Sequence, residues 1–335
     1  MIRLDRALTA GFVVLVSTAI VGLSSGNTGA SFTGSTTNPG QILATSNVLA
    51  PASETAVSAI GGRIDLSWPA TTTPPNSHTV TYLVFRNGTQ IAAIPGLTYS
   101  DTPAADGTYT YTVQTKIAQG AGFFTSPNSP AQSPKSDRTA PAMSATCNGS
   151  ACVAWYSAAV TVQITGNDGA GVGMGTATTK VDAAAAGTSA SPRSVTVSGV
   201  GAHTVVYSGA DALGNASGNT TLNVGIDQTA PTAATAIAGT QGQQNGEIDL
   251  TWTRGTDGAS GIGSQTVRRS NAGTGACPAV SVANYPNVVA GVTAASTAVT
   301  ATGLVQNSQY CFYIVTADAA GNSTNSVASA RITAN

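Results

Sequence analysis

Four cysteines, two histidines and a scatter of aspartates are the side chains in this sequence with chemistry to offer. Cys147-Asn-Gly-Ser-Ala-Cys152 encloses an Asn-Gly pair, the strongest short signal for a tight hairpin, and the spacing lets the two Cα atoms come within bridging distance. A zinc site needs further thiols or imidazoles at ligand spacing, and none lies nearby, so a local disulfide is expected. Cys277 and Cys311 then remain as a pair. A bridge between them would pin the long segment after Ser270 to a strand, and closing about 35 residues contributes roughly 3–4 kcal/mol in the chain-entropy model.

Asp168, in Gly166-Asn-Asp-Gly-Ala-Gly171, and Asp211, in the run from Tyr207 to Asn215, are the candidates to share a calcium ion. Calcium takes roughly six to eight oxygens, often from several carboxylates, and two aspartates fall short. Turn chemistry explains them more simply: Asp accepts backbone N–H bonds while Gly and Asn take left-handed φ. No metal and no cofactor is therefore expected. His78 and His203 lie in Thr- and Val-rich, strand-like sequence with no second ligand type close by, and each is expected to be a satisfied or exposed side chain.

Catalysis finds little support. There is no Gly-x-Ser-x-Gly elbow beside a His and an acid, and Glu54 and Glu247 stand near module starts rather than as a carboxylate pair. The Gly169-x-Gly171-x-Gly173 run precedes neither a helix nor a Lys-Ser/Thr, so it is not a phosphate loop. The expectation is a protein that is not an enzyme.

Composition narrows the partners. With 13 basic against 14 acidic residues there is no basic excess to displace counterions from phosphates, which argues against nucleic acid. Only 8% of residues are charged, yet the net charge of −1 and the many short alternating stretches separate the chain from disordered sequences, which carry high net charge.

The elements that must position these residues follow a long beat. Pro51, Pro141 and Pro231 each follow an alanine and recur at intervals of 90 residues, the last two within Asp137-Arg-Thr-Ala-Pro141 and Asp227-Gln-Thr-Ala-Pro231. That period suits a string of small β domains. Before the beat begins, Arg3 and Arg6 precede an apolar stretch, Ala7 to Leu23, and then Ser24-Ser-Gly26. This is the layout of a secretory signal, with cleavage after Gly26 or Ala30; an uncleaved anchor is the alternative. Residues 1–30 are read as signal or anchor, and residues 31–48 as a flexible lead-in. Gly29 to Ala44, with its Phe32 and Asn38-Pro-Gly40, resembles the start of Gram-positive secreted proteins related to camelysin and biofilm-matrix fibre proteins. The resemblance covers only those residues and implies an actinobacterial or firmicute surface protein.

In residues 49–137, Ile64-Asp-Leu-Ser-Trp68 puts Ile, Leu and Trp on one face, Thr79 to Arg86 leads into Asn87-Gly88, and Tyr109-Thr-Tyr-Thr-Val113 alternates again. The order of Trp68, Tyr82-Leu-Val-Phe-Arg86 and Tyr109-x-Tyr-x-Val113 resembles a fibronectin type III domain. The resemblance implies an antiparallel sandwich in which the Tyr109 hydroxyl bonds back to the chain.

Residues 138–228 carry alternating runs at Val160–Thr165, Ser194–Ser198, His203–Tyr207 and Thr220–Val224 without the tryptophan pattern. Their Asp-x-x-x-Gly loop and Tyr207-Ser-Gly-Ala-Asp211-Ala-Leu-Gly-Asn215 segment resemble a bacterial immunoglobulin-like domain. Residues 229–335 restate the first pattern as Ile248-Asp-Leu-Thr-Trp252, and Leu304 stands ahead of Tyr310-Cys-Phe-Tyr-Ile314 in a Leu-x₅-Tyr corner, again resembling fibronectin type III. Period two puts Tyr310, Phe312 and Ile314 inside and Cys311 outside. Arg268 and Arg269 read as a solvated strand edge.

The sequence thus describes an all-β chain of three immunoglobulin-like sandwiches in series. As a semi-rigid, non-catalytic rod at the cell surface or secreted, it would act as a structural, adhesive or spacer protein. Alternatives are a polysaccharide- or cell-wall-binding accessory protein, for which Trp155 and Tyr156 are the free aromatic candidates, and a self-assembling matrix fibre subunit. Expected partners are cell-envelope polysaccharide or other surface proteins, with a membrane contact only through an uncleaved N-terminus. No sorting motif stands in Arg331 to Asn335.

Overall fold

A computed structural model describes residues 48–71, 79–119 and 122–335. The signal or anchor segment, the camelysin-like stretch and His78 lie outside the described residues. The chain is all-β and divides into two compact units, residues up to Thr139 and Ala140 to Asn335.

The first unit is a sandwich. Alternation along Ile64–Ser67 sends Ile64 and Leu66 inward, and this strand pairs antiparallel with Thr55–Ser58 and Thr98–Asp101 in a three-stranded sheet. Opposite it, Thr89–Ile94, Thr79–Arg86, Tyr111–Gln119 and Gly122–Thr125 form a four-stranded sheet in that order. Trp68, Tyr82, Val84, Tyr111 and Val113 join Ile64 and Leu66 between the sheets. The Tyr109 hydroxyl donates to Ala105 O at 2.9 Å, tying the corner back to the chain.

The second unit holds two separate cores. In the first, Ala142–Cys147, Val160–Asn167 and Arg193–Val197 face a five-stranded sheet of Trp155–Tyr156, Thr220–Ile226, Gly201–Asp211, Met174–Val181 and Gly187–Ala190. Val160, Val162, Ile164, Val205, Val224 and Ile226 fill this second sandwich. In the other, Thr235–Gln241, Ile248–Thr253 and Ala298–Ala301 face Asn287–Val288, Ile262–Arg269, Phe312–Asp318 and Ser323–Asn325. Ile248, Leu250, Trp252, Tyr310, Phe312 and Ile314 form the centre of this third sandwich.

Arg268 and Arg269 require a correction. Their strand, Ile262–Arg269, is paired on both sides and is no edge. Both side chains are half-buried, and the Arg269 guanidinium lies 5.0 Å from the centre of the Tyr310 ring. The hydrophobic neighbour on the strand Gln309–Tyr310 draws it over an aromatic face instead of into water.

A device shared by the first and third sandwiches escaped the sequence reading because serine in a loop has no periodic signal. Ser126 and Ser129 donate their backbone N–H groups to Thr115 O and Val113 O, while their hydroxyl oxygens accept the N–H groups of the same two residues. Ser326 and Ser329 do the same to Ile314 and Phe312. Each hydroxyl stands in for the missing ladder carbonyl, so the last segment of each sandwich closes its sheet without being a regular strand.

Candidate functional site

The cysteines form two bridges. Cys147 joins Cys152, with Cα atoms 4.8 Å apart, across a hairpin whose Asn148 and Gly149 both have positive φ. Asn148 also exchanges backbone and side-chain bonds with Thr161, which anchors the hairpin to the next strand. Cys277 joins Cys311 with Cα atoms 5.8 Å apart. Cys311 does point away from the main core, as alternation requires, but it is fully buried: the insertion after Ser270 folds over that face. Tyr285 stands edge-on against Tyr313, ring centres 4.9 Å apart, and with Cys277 and Val280 covers Cys311. Arg331 secures the insertion further by donating to Gly275 O, Thr274 O and Ala276 O. Sequence reasoning placed the bridge but not this satellite core, because a lone Tyr285 in a polar loop carries no periodicity.

Asp168 and Asp211 do come together, with carboxylate oxygens within 4.8 Å of one another. Each is already engaged in turn chemistry. Asp211 Oδ1 accepts the N–H groups of Leu213, Gly214 and Asn215, Asn215 Nδ2 donates to Oδ2, and Asp168 Oδ2 accepts from Gly173 N. Asp168 Oδ1 is buried with no hydrogen-bond partner among the described residues.

The third sandwich repeats the arrangement. Asp257 Oδ2 accepts from Ala259 N and Gly261 N, and Asp318 accepts from Asn322 N and Nδ2. Asp227, in the Asp-x-Thr-Ala-Pro joint, brings a third carboxylate within 4.8 Å of those two. Its Oδ2 accepts from Ser260 N and Oγ, bonds that hold its carboxyl below the usual range, and Asn322 Nδ2 donates to Asp227 O, so the joint is stitched to the third sandwich. The oxygens are of the hard type that suits calcium or magnesium, although most already accept protein N–H groups.

Both turn systems lean on a Gly-x-Gly bulge. A Cβ on Gly175 would lie 2.4 Å from Asp211 O, and one on Gly263 2.6 Å from Asp318 O, so only glycine lets the bulged strand approach the acidic turn. Sequence reasoning reads Gly169, Gly171 and Gly173 as a turn and not a phosphate loop, and singles out neither Gly175 nor Gly263.

The remaining candidates are structural. Trp155 is half-buried with its ring against Gly225, where a Cβ would lie 2.2 Å from it, and Tyr156 packs on the second core with its hydroxyl accepting from Val153 N. Neither presents a free platform for a sugar. His203 is bonded to Asp182 and to Gly199, partners 21 and 4 residues away in sequence.

The sheets, cores and bridges define an all-β protein of paired-sheet sandwiches carrying two disulfides, a feature typical of extracellular proteins. No protein-family model and no curated protein matches the chain. Among solved structures, the FN1–FN3 domains of chicken CNTN1 are similar over 86% of this chain and 99% of theirs, with 12% identity and a TM-score of 0.40. Fibronectin(III)-like modules of Clostridium thermocellum CbhA match over 52% of this chain and 94% of theirs, with 15% identity and a TM-score of 0.31. A run of domains from titin matches over 83% and 95%, with 16% identity and a TM-score of 0.37. Among the described residues no helix is long and apolar enough to cross a membrane.

Proposed function

We propose that this chain is a non-catalytic, secreted or cell-surface protein whose modules, bounded at residues 49–137, 138–228 and 229–335, serve a structural, adhesive or spacer role. What carries the reading is how the reactive side chains are used. Among the described residues the cysteines are bridged, the aspartates of the Gly-rich loops hold turns, and His203 ties two turns together, so these reactive groups support the fold instead. Disulfides persist in oxidising compartments, which favours a place outside the cytoplasm. Cell-envelope polysaccharide or other surface proteins are the partners this reading proposes.

N-terminal sequencing of the native protein from culture supernatant and from washed cells tests it. A start near Asn27 or Ser31 in the supernatant is the expected result; an intact Met1 in the membrane fraction would replace release by tethering, and a purely cytosolic location would overturn the reading. The acidic turns are read as metal-free, so thermal unfolding should be unchanged by a calcium chelator.

A further inference from the structure

His203 sits where two turns meet at one end of the second sandwich. Its Nδ1 lies 2.8 Å from Asp182 Oδ2 and its Nε2 lies 3.0 Å from Gly199 O. Both partners are pure acceptors, a carboxylate and a carbonyl. A neutral imidazole has one N–H and can satisfy one of them, whereas an imidazolium has two and satisfies both. The two turns differ in what else holds them. Asp182 is fixed to the strand Gly201–Asp211 without the ring: its Oδ1 accepts from Thr204 N at 2.7 Å, and its own N–H donates to Thr204 O at 2.8 Å. Gly199 lies on the crossover between Arg193–Val197, in the three-stranded sheet, and Gly201–Asp211, in the five-stranded one. The turn there is tight, with positive φ at Gly199 and Gly201, and Val200 between them is exposed.

We propose that the crossover turn Ser198–Gly201 is a proton-operated clasp, closed when His203 is an imidazolium bridging Asp182 to the Gly199 carbonyl and released when the ring is neutral. On deprotonation the remaining proton stays on Nδ1, facing the carboxylate. The Nε2 lone pair then opposes the lone pairs of Gly199 O, and the bond that closes the turn becomes a repulsion.

The surroundings set the direction. Asp182, from the turn after Met174–Val181, is the charged group facing the ring; across the sheet His203 pairs with Val224, and the crossover offers backbone alone. The bond to Asp182 first, and that to Gly199 second, hold His203 above its ordinary value of 6.5, against a smaller opposing effect of burial. A histidine raised in the folded state stabilises fully below its unfolded pKa, and that contribution is lost as pH rises through the folded value. The clasp is therefore closed in mildly acidic medium and opens on the alkaline side of 6.5.

Nitrogen-15 NMR of the whole chain from about pH 5 to about pH 8, the range where histidine changes charge, tests the clasp. His203 should pass from imidazolium to the Nδ1–H tautomer with a midpoint above that of free histidine, and the Val200 and Gly201 amides should shift with the same midpoint. An Nε2–H tautomer, or crossover amides that do not follow the ring, would overturn it. Asp182→Asn keeps one side-chain oxygen to accept from Thr204 N and tolerates the positive φ at this position, yet removes the charge. It should move the ring and amide midpoints together to lower pH, and amides left at the wild-type midpoint would count against the clasp. In His203→Gln the amide titration should vanish; its persistence would assign the shift to another group.

Discussion

The first and third sandwiches begin from nearly the same words and spend them differently. Ile64-Asp-Leu-Ser-Trp68 and Ile248-Asp-Leu-Thr-Trp252 form equivalent strands, and even the outward aspartate behaves alike: Ser100 Oγ donates to Asp65 and Thr300 Oγ1 to Asp249, each at 2.6 Å. Behind that shared strand the interiors diverge. In the first sandwich Arg86 and the Tyr111 hydroxyl both donate to Asp101, and burial together with the Asp101 bond pushes the Tyr111 hydroxyl far above its usual range. The register puts Ala301 in the place of Asp101, Phe312 in that of Tyr111 and Arg269 in that of Arg86. Both arginines lie over the equivalent tyrosine, Arg86 5.6 Å from the centre of the Tyr109 ring and Arg269 5.0 Å from that of Tyr310; with the carboxylate gone, Arg269 keeps the ring contact without the ion pair.

The tryptophans part in the same way. Trp252 Nε1 donates to Gln265, whose amide in turn reaches Ala294 O and Ser296 O, whereas Trp68 Nε1 has no partner among the described residues and packs 5.7 Å from Tyr82. Finally, only the third sandwich covers its outer sheet face with a bridged insertion. A shared sequence pattern thus fixes a strand and its facing, while a few partner residues decide whether the sandwich is held by a half-buried ion pair or by amide bonds and a disulfide.

The largest expected break in this contrast is the outer bridge. Replacing Cys277 and Cys311 by serine should cost the third sandwich roughly 3–4 kcal/mol and expose Tyr285, and leave the first sandwich unchanged, as read by denaturant unfolding with tyrosine fluorescence. Next comes Asp101→Ala, which strands Arg86 and the Tyr111 hydroxyl. A loss of about 2 kcal/mol is expected, below that of a fully buried pair because the arginine side chain is 31% exposed. The indoles sharpen the comparison further. Trp252→Phe leaves the Gln265 oxygen unpaired and should lose about 1–2 kcal/mol more than Trp68→Phe in the same assay; equal losses would mean the Gln265 bond is worth nothing net.

Glu54 gives the first sandwich a pH response that no corresponding acid gives the third. Burial pushes its carboxyl above 4.5, partly offset by the bond from Ser129, and its Oε1 is buried without a partner among the described residues. An acid that keeps its proton in the folded state while the unfolded chain releases it loses stability as pH rises from 4.5 to its raised folded value. Glu54→Gln should flatten that part of the stability curve, measured by thermal melts across the acid range. The smallest effect is the shared one. Ser100→Ala and Thr300→Val should each cost about 0.5–1 kcal/mol, and unequal costs would show that the two aspartates are less equivalent than their geometry.

Much of this was legible in the chain. Strict alternation at Ile64, Leu66 and Trp68, at Val160, Val162 and Ile164, and at Phe312 and Ile314 fixed which faces are buried, because successive side chains of a strand point to opposite sides. Cysteine spacing pointed to the bridges, and the Asn-Gly pairs marked their hairpins. What failed was a reading that treated residues by their neighbours in sequence: Arg268 and Arg269 looked like an edge because nothing local shows that Asn287–Val288 pairs beyond them. His203 is the satisfied side chain expected of it, but its carboxylate lies 21 residues away and could not be named from the sequence.

The sequence by itself determined the all-β class, the inward and outward face of each strong strand and the Cys147–Cys152 pair, since these depend on period and spacing, which are local properties of a chain; Cys277 and Cys311 followed as the two cysteines left over. Only the tertiary structure decided that Tyr285 seals Cys311, that paired serines replace a strand, that Gly175 and Gly263 let the acidic turns close, and that His203 bridges two turns. Each of those needs groups far apart in the chain to come within hydrogen-bonding or van der Waals distance, and no periodicity records which distant partner the packing of two sheets will deliver.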